Sequence, residues 1–237
     1  MTMNTWTRRP ALVALLIALT FAAATRVVVA GSLDELTSKD ASSGLRAALG
    51  QGIDKAVARL GVPGGFLSNP KVTIPLPPAL EKIDRALRLV GMGGDADALK
   101  VAMNHAAESA VAEAKPVLKQ ALRRMTVQDA KGILTGGDDS ATQYFRRTTA
   151  DSLGARFKPI VANATAKLKL ASMYDQYAGK AAEFGLVKDE DAHLNDYVTS
   201  KALDGLYSEM ADEERAIRKD PLGQASTLIQ RVFGAIH

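Results

Sequence analysis

Asp40-Ala41-Ser42-Ser43-Gly44-Leu45-Arg46-Ala47-Ala48-Leu49-Gly50-Gln51-Gly52-Ile53-Asp54-Lys55-Ala56-Val57-Ala58-Arg59-Leu60-Gly61 is the stretch on which the fold class turns. Leu45, Leu49, Ile53, Val57 and Leu60 recur every three or four residues, so they line one face of an α-helix. Asp40 is placed to cap its start and Gly61 its end.

The same period continues downstream. Pro78 opens a second helix with Leu80, Ile83, Leu87 and Val90 on its apolar stripe, closed by Gly91. A third, capped by Asp95 or Asp97, carries Leu99, Met103, Ala106, Ala110 and Val111, small residues that permit close helix approach. Pro116 breaks it before Val117, Leu118 and Leu122. Thr126 with Asp129 makes a capping box for a short helix to Leu134, and Ser140 with Gln143 makes another. The helix from Ser140 is expected to stop at Lys158 and restart at Pro159, running to Gly185. Asp189 or Asp191 caps a long helix to Lys219, and Leu222 to Ile236 form a final amphipathic one. No alternation of strands and helices appears. The expectation is an all-α, single-domain multi-helix bundle, with a subdomain split near residues 135–139 as the alternative. Aromatic residues cluster after Gln143, which puts the densest core in the C-terminal half.

One segment departs from the helical period. Residues 61–78 are rich in glycine and proline, with Lys71-Val72-Thr73-Ile74-Pro75-Leu76 alternating. They predict an ordered, extended connector lying across the helices, with at most a short edge strand because Pro75 lacks a donor.

Upstream of Asp40 the composition changes. Arg8 and Arg9 precede an uncharged stretch, Ala11 to Ala24, of about 14 residues. That is shorter than the roughly 20 needed to span a bilayer, and small residues follow it. The order matches an export signal over residues 1–30, cleaved after Ala30 or alternatively after Ala24. Thr7-Arg8-Arg9 hints at the twin-arginine route, although Pro10 follows directly. Both the general secretory and the twin-arginine route stay open. The reading places the mature protein in the periplasm, with no transmembrane segment after cleavage.

Charge and cysteine content then sharpen. The full 237 residues hold 30 basic and 26 acidic side chains, formally +4, and no cysteine. Cleavage removes Arg8, Arg9 and Arg26 and no acid, so 27 bases face 26 acids and the mature chain is +1. Without a basic stripe, nucleic-acid binding is not expected. Absent cysteine excludes disulfides, thiolate catalysis and Cys-ligated zinc.

Motifs for chemistry are sparse. Gly91-Met92-Gly93-Gly94-Asp95-Ala96 matches a dinucleotide fingerprint but follows a helix, so it reads as a helix–helix turn. Asp189, Asp191, His193 and Asn195 begin like a calcium loop, but Leu194 stands where glycine is needed. His105 and Glu108, one turn apart, are weak candidates for a metal pair or, more simply, a local hydrogen bond. No cofactor is indicated. Glu214 and Arg218 have i,i+4 spacing for an ion pair. Glu108, Asp129, Arg146 and Glu213 are the candidate catalytic residues, should they converge on one polar cleft for acid–base work or cation binding.

Several separated blocks carry a family resemblance. They are Val72-Thr73-Ile74-Pro75-Leu76-Pro77, Met103-Asn104-His105-Ala106-Ala107-Glu108, Asp129 to Gly136, Ala141 to Arg146, Tyr197-Val198, Ala202-Leu203-Asp204-Gly205-Leu206-Tyr207, and Glu213-Glu214 ahead of Ile217 to Pro221. In order they resemble the DUF4197 family of exported bacterial proteins, over Leu33 to Phe233. The resemblance implies a mostly helical envelope protein and supplies no catalytic residues. Three functions follow as expectations: a binding or structural module that meets an envelope protein or lipid, a hydrolase or metal-dependent enzyme built on the four candidates, or a carrier of a lipid or small apolar ligand.

Overall fold

The computed structural model describes residues 38–91, 93–183 and 192–220. Eight helices appear among them: α1 Ser38–Leu60, α2 Pro78–Leu89, α3 Gly93–Ala112, α4 Lys115–Arg124, α5 Val127–Leu134, α6 Ser140–Thr165, α7 Lys169–Glu183 and α8 Leu194–Lys219. The fold is all-α, with no strand among the described residues. The export signal, Asp189, Asp191 and the expected helix from Leu222 lie outside them.

The apolar period of α1 folds as written. Leu45, Leu49, Ile53, Val57 and Leu60 are all buried on one face of α1. On α2 Leu80 is buried, but Val90 stands exposed beyond the last turn; the side chains of Ile83 and Leu87 lie outside the described ones. Gly91 then adopts φ 80°, the left-handed turn that lets α3 fold back. Of the glycine-rich motif, Gly91 makes the turn between the helices and Gly93 to Ala96 open α3. α3 begins at Gly93, earlier than the expected aspartate cap, with Asp95 in its first turn.

The longest helices, α6 and α8, make the most extensive pairing, and α3 packs on both. Leu153, Phe157 and Val161 of α6 meet the layer that holds Val198, Ala202 and Leu206 of α8, all buried. The alanines of α3 (106, 107 and 110) are completely covered, as close approach requires. α1 packs on α8, α4 and α5. One core cluster runs from Leu45 to Ile217, drawing residues from both sides of 135–139.

The expected break in α6 also moves. Pro159 does not break α6, which continues to Thr165. The proline forfeits only the hydrogen bond to the Ala155 carbonyl, and both residues face solvent, where water replaces the lost donor. The opposite face, Phe157 and Val161, stays buried and holds the helix together; the chain breaks instead at Ala166 to Leu168. Helix α8 starts at Leu194, whose N–H donates to Asp175 of α7 at 2.7 Å; the expected caps Asp189 and Asp191 lie outside the described residues.

The capping boxes also divide. Thr126 and Asp129 form theirs, each side chain bonded to the other's backbone N–H. Ser140 does not cap α6; its hydroxyl donates to Gly137 O. The first-turn donors of α6 go instead to Glu214 of α8: Ala141 N to Oε1 at 3.0 Å, and Thr142 N and Oγ1 to Oε2 at 2.9 and 3.0 Å. Arg218 closes the arrangement, bonding Glu214 Oε1 at 2.9 Å and the Ile133 carbonyl in the last turn of α5 at 2.8 Å. One buried ion pair thus sets a carboxylate on a helix start and a guanidinium on a helix end, both favoured by the helix dipole.

Candidate functional site

The connector between α1 and α2 is extended over residues 73–77, without the edge strand the sequence allowed. A strand needs a neighbouring backbone. Here two side chains of α3, one turn apart, take that role. Asn104 accepts from Ile74 N–H at 2.8 Å and donates to Ile74 O at 2.9 Å, as a paired strand would. Glu108 Oε1 accepts from the amides of Phe66 and Leu67, both at 3.0 Å. Its Oε2 meets His105 Nδ1 at 2.7 Å. Burial opposes ionisation of Glu108, but the His105 ring and the two amides outweigh it and hold its pKa below the usual glutamate value. Phe66 is fully buried and reaches α8 at Gly205, where a Cβ would stand 2.6 Å from its ring.

Fixed in this way, the connector forms one wall of a groove whose other wall is α8. The groove encloses about 500 Å3. Lys71 to Leu76 and Pro78 line one side, with Glu81 at the α2 end; Tyr197, Lys201, Asp204, Gly205 and Ser208 form a single stripe of α8 on the other. The walls are tied at both ends. Tyr197 donates its hydroxyl to Pro75 O at 3.3 Å, and Lys71 pairs with Asp212 at 3.1 Å. Asp204 is paired with Arg146 at 2.9 Å, and that guanidinium lies over the Tyr207 ring, 4.7 Å from its centroid. Lys201 has no carboxylate partner among the described residues; its ammonium sits 5.7 Å from the Tyr197 ring centroid.

The four nominated catalytic residues have separate partners. Glu108 holds the connector. Asp129 caps α5, and the Thr126 hydroxyl and amide keep its pKa low. Arg146 serves Asp204 on the exposed side of α8. Glu213 pairs with Lys55 at 3.4 Å and Arg59 at 3.2 Å of α1, next to the Arg59–Glu209 pair. No bond or ion pair joins any two of the four among the described residues. The proposed metal pair is a hydrogen-bonded pair: Glu108 Oε1 holds the two amides and Oε2 meets His105 Nδ1. No group of three or more acidic or histidine side chains suited to a metal occurs among the described residues.

Two further cavities bear on the other expectations. An apolar one between Leu49, Ile53, Phe145 and Met210 holds about 20 Å3, room for a water molecule and not for an acyl chain. A polar depression of about 390 Å3, lined by Gln120, Arg124, Asp129, Tyr144 and Ser152, opens between α4 and α6. No described helix is long and apolar enough to cross a membrane.

Sequence reasoning missed Asn104, although a lone Asn in an alanine-rich helix, one turn before Glu108, was a usable signal. Nothing in the sequence marks Lys201 or Ser208, which are ordinary polar residues on an exposed helix face.

Fold and site together define an all-α bundle that carries an extended segment clamped by buried side chains of one helix. The profile of the family described as Protein of unknown function (DUF4197) matches residues 35–234, and the chain belongs to that family. No curated protein and no solved structure matches it.

Proposed function

We propose that the chain is an exported, periplasmic, non-enzymatic binding module of the bacterial envelope, with the groove along α8 as its partner-facing surface. The observation that carries this is the division of labour among its polar groups. Glu108, Asp129, Glu213 and Glu214 are spent on amides, caps and ion pairs that hold the fold. The groove, in contrast, keeps Lys201 on an open surface without a carboxylate partner among the described residues. Acid–base chemistry asks for a titratable group free to exchange protons with a substrate; recognition asks for a shaped surface with unspent polar atoms. The basic, apolar, small-residue order of residues 1–30 supports export.

Two measurements test the reading. Intact-mass analysis of the protein from the producing cell should give a chain starting at Gly31; retention of Met1 to Ala30 refutes export by cleavage. A photo-crosslinking residue at position 208 should give a discrete adduct in the envelope, and one at position 120, on the α4 face, should not. Equal labelling at both sites refutes the groove as the partner-facing surface.

A further inference from the structure

The groove's dimensions narrow what it holds, and this step rests on the binding reading above. Tyr197 to Ser208 is eleven residue steps along α8, so the trough is about 16 Å long at 1.5 Å per step. A helical ligand keeps its backbone N–H and C=O groups bonded within its own turns, so its backbone has none to offer the polar atoms of the open trough. An extended chain rising about 3.3 Å per residue covers the trough with about five residues. An acyl chain is thin enough, but it would strip water from Lys201 and Ser208 without returning a hydrogen bond. A peptide returns them through its own backbone groups.

Charge sets the polarity. Lys71 and Asp204 are already paired, with Asp212 and Arg146. Among the described residues Lys201 lines the trough without a carboxylate partner, and Glu81 at the α2 end disfavours a second acid there. Between them Pro75, Leu76 and the Tyr197 ring offer an apolar seat. We infer that the groove takes an extended peptide segment of a partner protein, with an Asp or Glu carboxylate on Lys201 and a proline or aliphatic side chain against Tyr197, Pro75 and Leu76.

The test is selection of a random heptapeptide display library on the full chain as processed by the producing cell, in wild-type form and as Lys201→Glu. Lys201 is exposed, has no carboxylate partner among the described residues and gives up only a distant contact with the Tyr197 ring, so this variant should keep a melting curve close to the wild type's. Wild type should enrich peptides with one acidic residue beside proline or aliphatics. Changing that acid to its amide, or Lys201 to Glu, should weaken binding about tenfold. A peptide with Lys in place of the acid should recover binding to Lys201→Glu. No enrichment, or enrichment indifferent to Lys201→Glu, overturns the inference. So does binding of phosphatidylglycerol vesicles that depends on Lys201 and displaces the peptide, which would make the occupant a lipid. A discrete crosslink at position 208 without peptide enrichment would leave the binding reading standing and remove the extended-peptide class alone.

Discussion

Glu108→Gln tests whether the buried carboxylate is a structural clamp. The substitution keeps the side chain's shape and the oxygen that receives the Phe66 and Leu67 amides, and it removes the charge. A hydrogen bond to a charged group is worth about 1.5–3 kcal/mol and a neutral one about 0.5–1.5, so neutralisation costs about 1 kcal/mol per amide, about 2 in all. The His105 contact adds less, because its ring is half exposed. In a domain of this size each kcal/mol lowers Tm by about 2–4 °C, which predicts a fall of about 4–8 °C at pH 7. Glu108→Ala, which leaves both amides without an acceptor, should cost about 3–5 kcal/mol. The sign with pH follows from the lowered folded pKa. Stability from Glu108 is fully present above the ordinary glutamate pKa of the unfolded chain and is lost as pH falls through the lower folded value. The gap between wild type and Glu108→Gln should therefore be widest at neutral pH and close on acidification. Circular-dichroism melts across that range measure it, and tryptic cleavage after Lys71 reports release of the connector. A gap that does not change with pH, or cleavage at the wild-type rate, would refute the clamp.

Three further outcomes follow from the packing. Glu214→Ala should cost about 3–5 kcal/mol in urea unfolding, since it strands the buried Arg218 and uncaps α6; a Glu214→Leu/Arg218→Met pair should recover part of that loss. Gly205→Ala should cost about 1–3 kcal/mol by forcing a methyl group into the Phe66 ring, with Phe66→Leu restoring some of it; a Tm unchanged in Gly205→Ala would contradict the close approach. Pro159→Ala should raise Tm by a few degrees, because it returns a donor to Ala155 O in a helix that already runs straight through.

The helices were legible because apolar spacing and punctuation are local. Leu45 to Leu60, Pro78, Gly91, Pro116 and the Thr126 box all act within a turn or two of where they are written. The failures share one cause. Ser140 looked like a cap, yet the donors of α6 are taken by Glu214, more than seventy residues away. Pro159 looked like a stop, yet the buried face of α6 overrides it. Of the site, the Glu214–Arg218 spacing was readable as a pair. The role of Glu108 was not, because its partners are backbone amides of Phe66 and Leu67, and an amide is the same in every residue. The groove stayed hidden for a related reason: its walls come from segments more than a hundred residues apart, and only the fold sets Lys201 opposite Pro75.

The ion pair on α8 has a consequence for the order of assembly. A chain is synthesised from its N-terminus, and the groups that finish the α5–α6 junction, Glu214 and Arg218, are among the last described residues to emerge. The Arg59–Glu209 and Lys71–Asp212 pairs wait on the same helix. Closing such distant contacts is slow, and the earlier helices carry incomplete ends until α8 arrives. Helix α8 thus supplies the groups that complete the α5–α6 junction and tie down both α1 and the connector.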